Sequence, residues 1–217
     1  MLQFIKVADV KFTTCRYIID NYDNLPDMML FIHSQRYQWH NDDPYYDGVP
    51  MLRNFQTSYL LKEGYVNLRC VWTLGCPVEI HPLSDVHRED VHAGEYFKLA
   101  FMELFPDTPV PEEVGVSCCA QFGVTRDRVL MRPKSDYEFY RKWLTDTELK
   151  DEMSGRIMEY SWHSTYAWFF SSSSYTLTLS LCSDFRQRAR PLPKCPGLLL
   201  QCLWAVQFEL SRTECLR

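Results

Sequence analysis

The chain has 217 residues, of which 46% are hydrophobic and 24% are charged, so it can bury a core and is not a disordered polymer. Its net charge of −5 lacks the basic footprint that non-specific nucleic-acid binding needs, so nucleic acid is not an expected partner. No apolar run reaches the roughly 18 residues of a membrane span, and residues 1–10 lack the cleavage pattern of a signal peptide. The sequence therefore predicts neither a transmembrane helix nor a targeting segment.

The first half of the chain shows a helical pattern, a strand, a long polar loop, a second helix and a second strand. These predicted elements cover residues 14–22, 27–33, 34–50, 51–61 and 64–71. The first strand is continuously apolar from Met28 to Ile32, which is typical of a strand buried on both faces. It ends in the polar His33, and ligands of α/β sheets bind beyond the carboxyl ends of the strands. We therefore expect a ligand site in the loop that follows His33.

The second half predicts an irregular segment, a helix, a strand, two helices and a final segment with a helical spacing. These cover residues 77–91, 93–105, 114–124, 125–131, 136–149 and 155–163. Thr125 is the expected N-cap of the helix over residues 125–131. Together the elements predict an α/β fold with a mixed sheet flanked by helices.

The net charge and the amino-acid composition of the chain change after His163. Residues 1–163 carry a net charge of −8, whereas residues 164–217 carry three acidic and six basic residues. The later stretch is rich in serine, and Pro191, Pro193 and Pro196 interrupt any regular element there. We therefore expect the α/β domain to occupy residues 14–163 and an atypical, poorly ordered tail to follow over residues 164–217.

The loop after His33 contains the first group of candidate site residues. Asp42 and Asp43 offer the hard oxygen ligands that a divalent cation prefers. His33 and His40 can contact phosphate or act as acid or base near neutral pH. The alternative is a solvated loop whose aspartates cap turns.

Glu159, Trp162 and His163 form the second group. On a helix, positions 159, 162 and 163 share one face, and a Glu with a His suits acid–base catalysis or metal ligation. The alternative is a surface Glu–His pair beside a buried tryptophan.

The remaining polar clusters predict no chemistry. His81, His87 and His92 lack a metal-ligand spacing and indicate a solvated loop. Residues 117–119 (SCC) have no nucleophile-elbow glycines around them, so they predict inert thiols in a buried strand. No glycine-rich phosphate loop is present.

Nine cysteines are present, so at least one cannot pair within the chain. No Cys-x-x-Cys pair supports a structural zinc site. Cys70 and Cys76 either close a small loop through a disulfide or remain free thiols. The cysteines therefore indicate neither an oxidising nor a reducing compartment.

Several ordered motifs resemble a mostly fungal family known as domain of unknown function 3431. They are YIIDNYDNLPD at 17–27, FIHSQRYQWHNDD at 31–43, GYVNLRC at 64–70, VSCCAQF at 116–122 and MEYSWH at 158–163. The resemblance covers about residues 15–163. It implies no particular reaction.

The order of the elements also resembles, more weakly, the GT-A type of glycosyltransferase. That resemblance implies a nucleotide-sugar donor, a glycan acceptor, Mn²⁺ or Mg²⁺, and a place in the secretory pathway. Asp42 and Asp43 would hold the metal, and Glu159 and His163 would be catalytic on the acceptor side. The implied substrate-binding residues are His33, Arg36, Trp39, His40, Arg53, Asn54 and Trp162.

The same resemblance implies a first strand and a nucleotide-side loop before the helix that contains Tyr17. Residues 1–13 do not match that pattern, so we expect an atypical N-terminal segment and an incomplete GT-A-like core. An inactive truncated family member is therefore one alternative. The other is a non-catalytic carbohydrate- or protein-binding module with an aromatic cleft made by Tyr37, Trp39, Tyr45 and Tyr46.

Overall fold

The computed structural model describes residues 1–7, 10–41, 43–69, 78–84 and 93–166. The strands among them are β1 (Leu2–Val7), β2 (Met28–His33), β3 (Tyr65–Asn67) and β4 (Phe122–Thr125). The helices are α1 (Val10–Asn21), α2 (Gly48–Arg53), α3 (Thr57–Glu63), α4 (Gly94–Leu104), α5 (Arg126–Leu130), α6 (Lys134–Asp146) and α7 (Asp151–Tyr166). A single 3₁₀ turn, Tyr22–Asn24, follows α1. No helix among these residues is long and apolar enough to span a membrane.

The four strands form one mixed sheet in the order β1-β2-β4-β3. β1 runs parallel to β2, while β4 runs antiparallel to both β2 and β3. The antiparallel register places Phe122 opposite both Phe31 and Asn67, so the residues just before β4 lie beside the ends of β2 and β3. This arrangement confirms the predicted α/β fold with a mixed sheet flanked by helices. The GT-A-like core stays a prediction.

The sheet is covered on both faces, as the apolar run in β2 predicted. Met29 and Phe31 belong to a large buried cluster with residues of α1, α4, α6 and α7. Leu30 and Ile32 point to the opposite face because successive strand side chains alternate. There they join a smaller cluster, whose other buried members are Met51, Leu60, Val66 and Leu68.

Phe122 links the sheet to α7 in the large cluster. Its ring is fully buried and lies 5.1 Å from Phe31 and 5.3 Å from Tyr65, centroid to centroid. On the helix side its ring lies 5.5 Å from both Trp162 and Tyr166. These contacts fix the distance between α7 and the part of the sheet where β2 ends and β4 begins.

The N-terminal segment differs from the expectation. Residues 1–13 were expected to lack the first strand, but Leu2–Val7 form β1 and pair with β2 along the whole length of both strands. α1 then begins at Val10 rather than at residue 14. The expectation that the sheet has no first strand is therefore wrong.

The predicted strand over residues 114–124 is wrong for most of its length. Val114 makes only an isolated bridge with Ile80, and the strand proper begins at Phe122. Cys119 and Ala120 have φ values of 88° and 45°. Such left-handed conformations cannot continue an extended strand.

Several helices also differ in extent, and α6, for example, covers Lys134–Asp146 instead of residues 136–149. The helix predicted over residues 51–61 is two short helices, because Asp47 caps α2 at Val49 N and α3 starts again after Gln56. Thr125 caps α5 through Arg128 N, as predicted. α7 begins at Asp151 and continues through Tyr166, three residues beyond the predicted boundary at residue 163. Residues 167–217 lie outside the described residues.

Candidate functional site

A cavity of about 350 Å³ lies at the carboxyl end of β2. His33, the last residue of β2, forms part of it, and the loop residues Trp39 and His40 form a second part. Residues 118–120 reach it because β4 runs antiparallel to β2, and α7 closes it from the other side. The cavity therefore lies at the end of β2, where the sequence analysis expects a ligand site, and ligand binding there stays a prediction.

One wall of the cavity is a stack of flat rings. His33 and His40 stack at 4.3 Å with 17° between their planes, and the Trp39 ring lies 4.1 Å from His40. Burial lowers the pKa of His33. Burial, the neighbouring His33 and Arg69 lower the pKa of His40 to about 4. Both imidazoles are therefore neutral near pH 7, and this wall consists of uncharged rings, with Trp39 tilted by 35° from His40.

Glu159 lines the cavity from α7. Its Oε1 accepts a hydrogen bond from the backbone N–H of Cys119. Burial raises the pKa of Glu159, while the N–H groups of Cys119 and Ala120 and the charge of Arg156 lower it in part. The result is a positioned carboxyl that is a stronger base than one in water.

The other charged residues around the cavity make it acidic. Glu79, Asp151 and Glu152 line it together with Glu159, and Arg156 is the one Lys or Arg side chain among the described lining residues. Such a cavity accepts hydrogen bonds from hydroxyl groups. It would repel a diphosphate unless a cation came with it.

Trp162 forms part of the cavity from α7. Its side chain is almost completely buried, at 1% exposure, and its ring stacks on Tyr166 at 6.0 Å. Its indole N–H has no acceptor among the described residues. A buried donor without a partner is unusual, so the Trp162 indole N–H is an unsatisfied donor in the wall of the site.

A family model described as protein of unknown function (DUF3431) matches residues 12–182, well over half of the chain. The chain belongs to this family. No curated protein and no solved structure matches the chain. Every residue that lines the cavity falls within the matched range, so the site is part of the DUF3431 region itself. The matched range also runs past residue 163, and the proposed domain boundary there stays a prediction.

Five of the predicted site residues come together in this DUF3431 cavity. His33, Trp39, His40, Glu159 and Trp162 all line it. Arg36, Asp43, Arg53, Asn54 and His163 do not line it, and Asp42 lies outside the described residues. The functional roles of all these residues stay predictions.

The loop residues outside the cavity build the loop itself. Asp43 Oδ1 accepts the backbone N–H groups of Tyr45 and Asp47 at 2.9 and 3.1 Å. Arg36 makes two hydrogen bonds to the carboxylate of Asp47, at 2.9 and 2.7 Å. The buried Asn41 donates to the carbonyl oxygen atoms of Arg36 and Tyr46. These contacts are what the turn-capping alternative predicts, and they hold Trp39 and His40 at the cavity.

Sequence reasoning missed a disulfide in this region of the DUF3431 domain. Cys118 and Cys119 are bonded to each other, so the prediction of inert thiols in a strand is wrong. Arg69 Nη1 lies 3.2 Å from Cys118 Sγ and 2.8 Å from Cys119 Sγ. The Arg69 guanidinium also lies over the Trp39 ring, at 5.6 Å. The signal in the sequence was the pair of adjacent cysteines.

The protonation of His163 should make the free energy of unfolding depend on pH. Burial lowers its pKa to about 4, whereas the unfolded chain takes up this proton near pH 6.5. Between these values the unfolded state binds more protons, so the free energy of unfolding falls as the pH is lowered from 6.5 to 4. The expected loss is about 3 kcal/mol at most. Urea unfolding at a series of pH values measures it.

The His163→Gln variant is the control for this prediction. It should lose less stability than the unchanged protein between pH 6.5 and 4, and both should show the same slope above pH 7. Equal slopes for the two proteins below pH 6.5 would contradict a neutral His163 of lowered pKa.

Proposed function

We propose that the cavity binds a saccharide and that the protein is glycosyltransferase-like, with a nucleotide-sugar donor and a glycan acceptor. The observation that carries the proposal is Glu159, a carboxyl of raised pKa in a cavity that the half-exposed ring of Trp39 also lines. Flat aromatic rings pack against the apolar faces of sugars, and carboxylates accept their hydroxyl groups. A place in the secretory pathway belongs to the same proposal.

In the proposed reaction Glu159 is the general base. A hydroxyl of the acceptor gives its proton to the Glu159 carboxylate while its oxygen attacks the anomeric carbon of the donor, and the nucleoside diphosphate leaves. The backbone N–H of Cys119 keeps the carboxylate in place. The raised pKa strengthens Glu159 as a base, which is the property that proton removal near neutral pH requires.

The leaving diphosphate needs positive charge that the acidic cavity does not supply. Mn²⁺ or Mg²⁺ would neutralise it, and Asp42 and Asp43 are the proposed ligands. Asp43 uses Oδ1 for two backbone N–H groups, and its Oδ2 makes no hydrogen bond within the described residues. One oxygen of Asp43 therefore fits a cation. The proposed phosphate-side contacts are Arg36 on the same loop, Arg53 at the end of α2 and Asn54, which follows α2 directly.

Thermal shift with UDP and GDP, each with and without Mn²⁺, tests the donor side. A ligand at about 100 times its Kd stabilises the native state by about 2.7 kcal/mol. We expect stabilisation that depends on the metal. Thermal shift with a series of neutral oligosaccharides, each added separately, tests whether the cavity binds a saccharide.

Trp39→Ala is the informative variant and Phe139→Ala its matched control. Both aromatic side chains are about half exposed, at 52% and 44%, but Phe139 lies on α6, outside the cavity. Only Trp39→Ala should weaken saccharide binding. Saccharide binding without any nucleotide binding would favour the non-catalytic module, and binding of neither would contradict the proposal.

A further inference from the structure

We propose that Cys118 and Cys119 form a reversible thiol–disulfide switch whose state sets the position of Glu159. The inference rests on the proposed function only where ligand binding is concerned. The effect on the backbone can be measured without any ligand, so the two can fail separately.

The position of the pair makes it reactive. Cys118 is partly exposed and lines the cavity, so a small molecule that enters the cavity can reach it, whereas its bonded partner Cys119 is buried. Arg69 Nη1 lies within hydrogen-bonding distance of both sulfurs. A guanidinium beside a thiol favours the thiolate, and the thiolate is the species that reacts in thiol–disulfide exchange.

The pair is connected to the cavity through the backbone of Cys119. Its N–H donates to Glu159, and its carbonyl oxygen lies 3.2 Å from His33 Nε2. Because a carbonyl oxygen only accepts, the neutral His33 ring carries its proton on Nε2. One peptide segment thus holds the proposed base and one ring of the stacked wall.

The same segment has an unfavourable backbone conformation. Cys119 and Ala120 both have positive φ, which residues other than glycine, asparagine and aspartate rarely adopt. The disulfide closes a small ring that contains the peptide bond between the two cysteines, and this ring restricts the backbone. When the bond is reduced, the restriction ends, so Cys119 can leave the positive-φ region and withdraw its N–H from Glu159.

The chemistry requires a small disulfide as the oxidant, and oxidised glutathione is the class we name. One cysteine thiolate attacks a sulfur of that disulfide and releases one glutathione thiolate, which takes up a proton. The second cysteine thiolate then attacks the mixed disulfide and releases the other glutathione. Two thiols lose two electrons to one disulfide, which becomes two thiols. A dithiol reductant reverses both steps.

Hydrogen–deuterium exchange at the amides of Cys119 and Ala120 tests the switch on the full chain. Oxidised and dithiothreitol-reduced samples are compared, with the redox state of the 118–119 peptide confirmed by its mass after alkylation. We expect exchange to become faster by about tenfold or more on reduction, because an amide that loses its hydrogen bond loses its protection. Unchanged exchange with a confirmed change in redox state would overturn the proposal.

Two variants separate this pair from the other cysteines. Cys118→Ser cannot form the bond, so its amides should exchange fast in both conditions. Cys15→Ala removes a fully buried thiol that does not line the cavity, so it should keep the difference between oxidised and reduced protein. A redox effect that survives in Cys118→Ser would assign the change to another cysteine and overturn the switch.

Saccharide binding is then measured on the oxidised and reduced protein. Weaker binding after reduction, by about tenfold, would support the coupling to the cavity. Equal binding in both states, together with a clear change in exchange, would overturn the control of the ligand site by this pair. If no saccharide binds in either state, the proposed function fails, and the exchange experiment still decides the switch.

Discussion

Replacing Phe122 with alanine is expected to lower the free energy of unfolding by about 3–5 kcal/mol, as expected for removal of a buried phenylalanine. The ring is fully buried and contacts aromatic rings of β2, β3 and α7 at once. Removing it leaves a cavity between the sheet and α7 that these rigid neighbours cannot fill. Urea unfolding followed by tryptophan fluorescence measures the change.

Phe139→Ala is the matched control for this substitution. Phe139 lies on α6 with 44% of its side chain exposed, so its loss should change stability by about 0.5 kcal/mol or less. Similar losses in the two variants would mean that Phe122 does not hold α7 against the sheet.

Replacing Glu159 with glutamine is expected to reduce kcat/KM by about 10²–10⁴-fold, the usual contribution of a general base. The amide oxygen of glutamine can still accept the N–H of Cys119, so the backbone there should keep its conformation. The amide cannot take up the acceptor's proton. Turnover is measured with nucleotide sugars of whichever nucleotide, UDP or GDP, gives the larger thermal shift, and binding of that nucleotide should be preserved.

Glu152→Gln provides the comparison within the same cavity. Glu152 also lines the cavity, but it lies in the first turn of α7 and has an exposed side chain. Its loss removes the same charge without removing the proposed base, so we expect little change in turnover. A Glu159→Gln protein as active as Glu152→Gln would rule out Glu159 as the base.

The buried parts of the fold could be predicted from the sequence because their patterns are local. The apolar run in β2, the helical spacing in α4 and the Thr125 cap each identify an element without knowledge of its neighbours. β1 could not be predicted in this way. Leu2–Val7 alternate too weakly to indicate a strand alone, and they become one by pairing with β2.

The candidate site shows the same limit. His33, Trp39 and His40 follow a buried strand, and Glu159 and Trp162 share a helix face, so both groups were visible in the sequence. Arg69 and Glu79 were not predicted, because tertiary packing alone brings them beside residues 118–120 and α7. Arg156 lies three residues before Glu159 on α7 itself, so helical spacing could have indicated it. The positive φ values of Cys119 and Ala120 carry no sequence signal, since neither residue type is typical of that conformation.

Many more apolar side chains are buried on one face of the sheet than on the other. On one side the large cluster draws on α1, α4, α6 and α7, while on the other a few side chains pack under the short helices α2 and α3. Regions with few buried contacts open at a lower free energy than the rest of a protein. The α2–α3 layer should therefore be able to detach and return while the sheet and α7 stay folded, so transient opening of that side would leave the Glu159 side of the cavity intact.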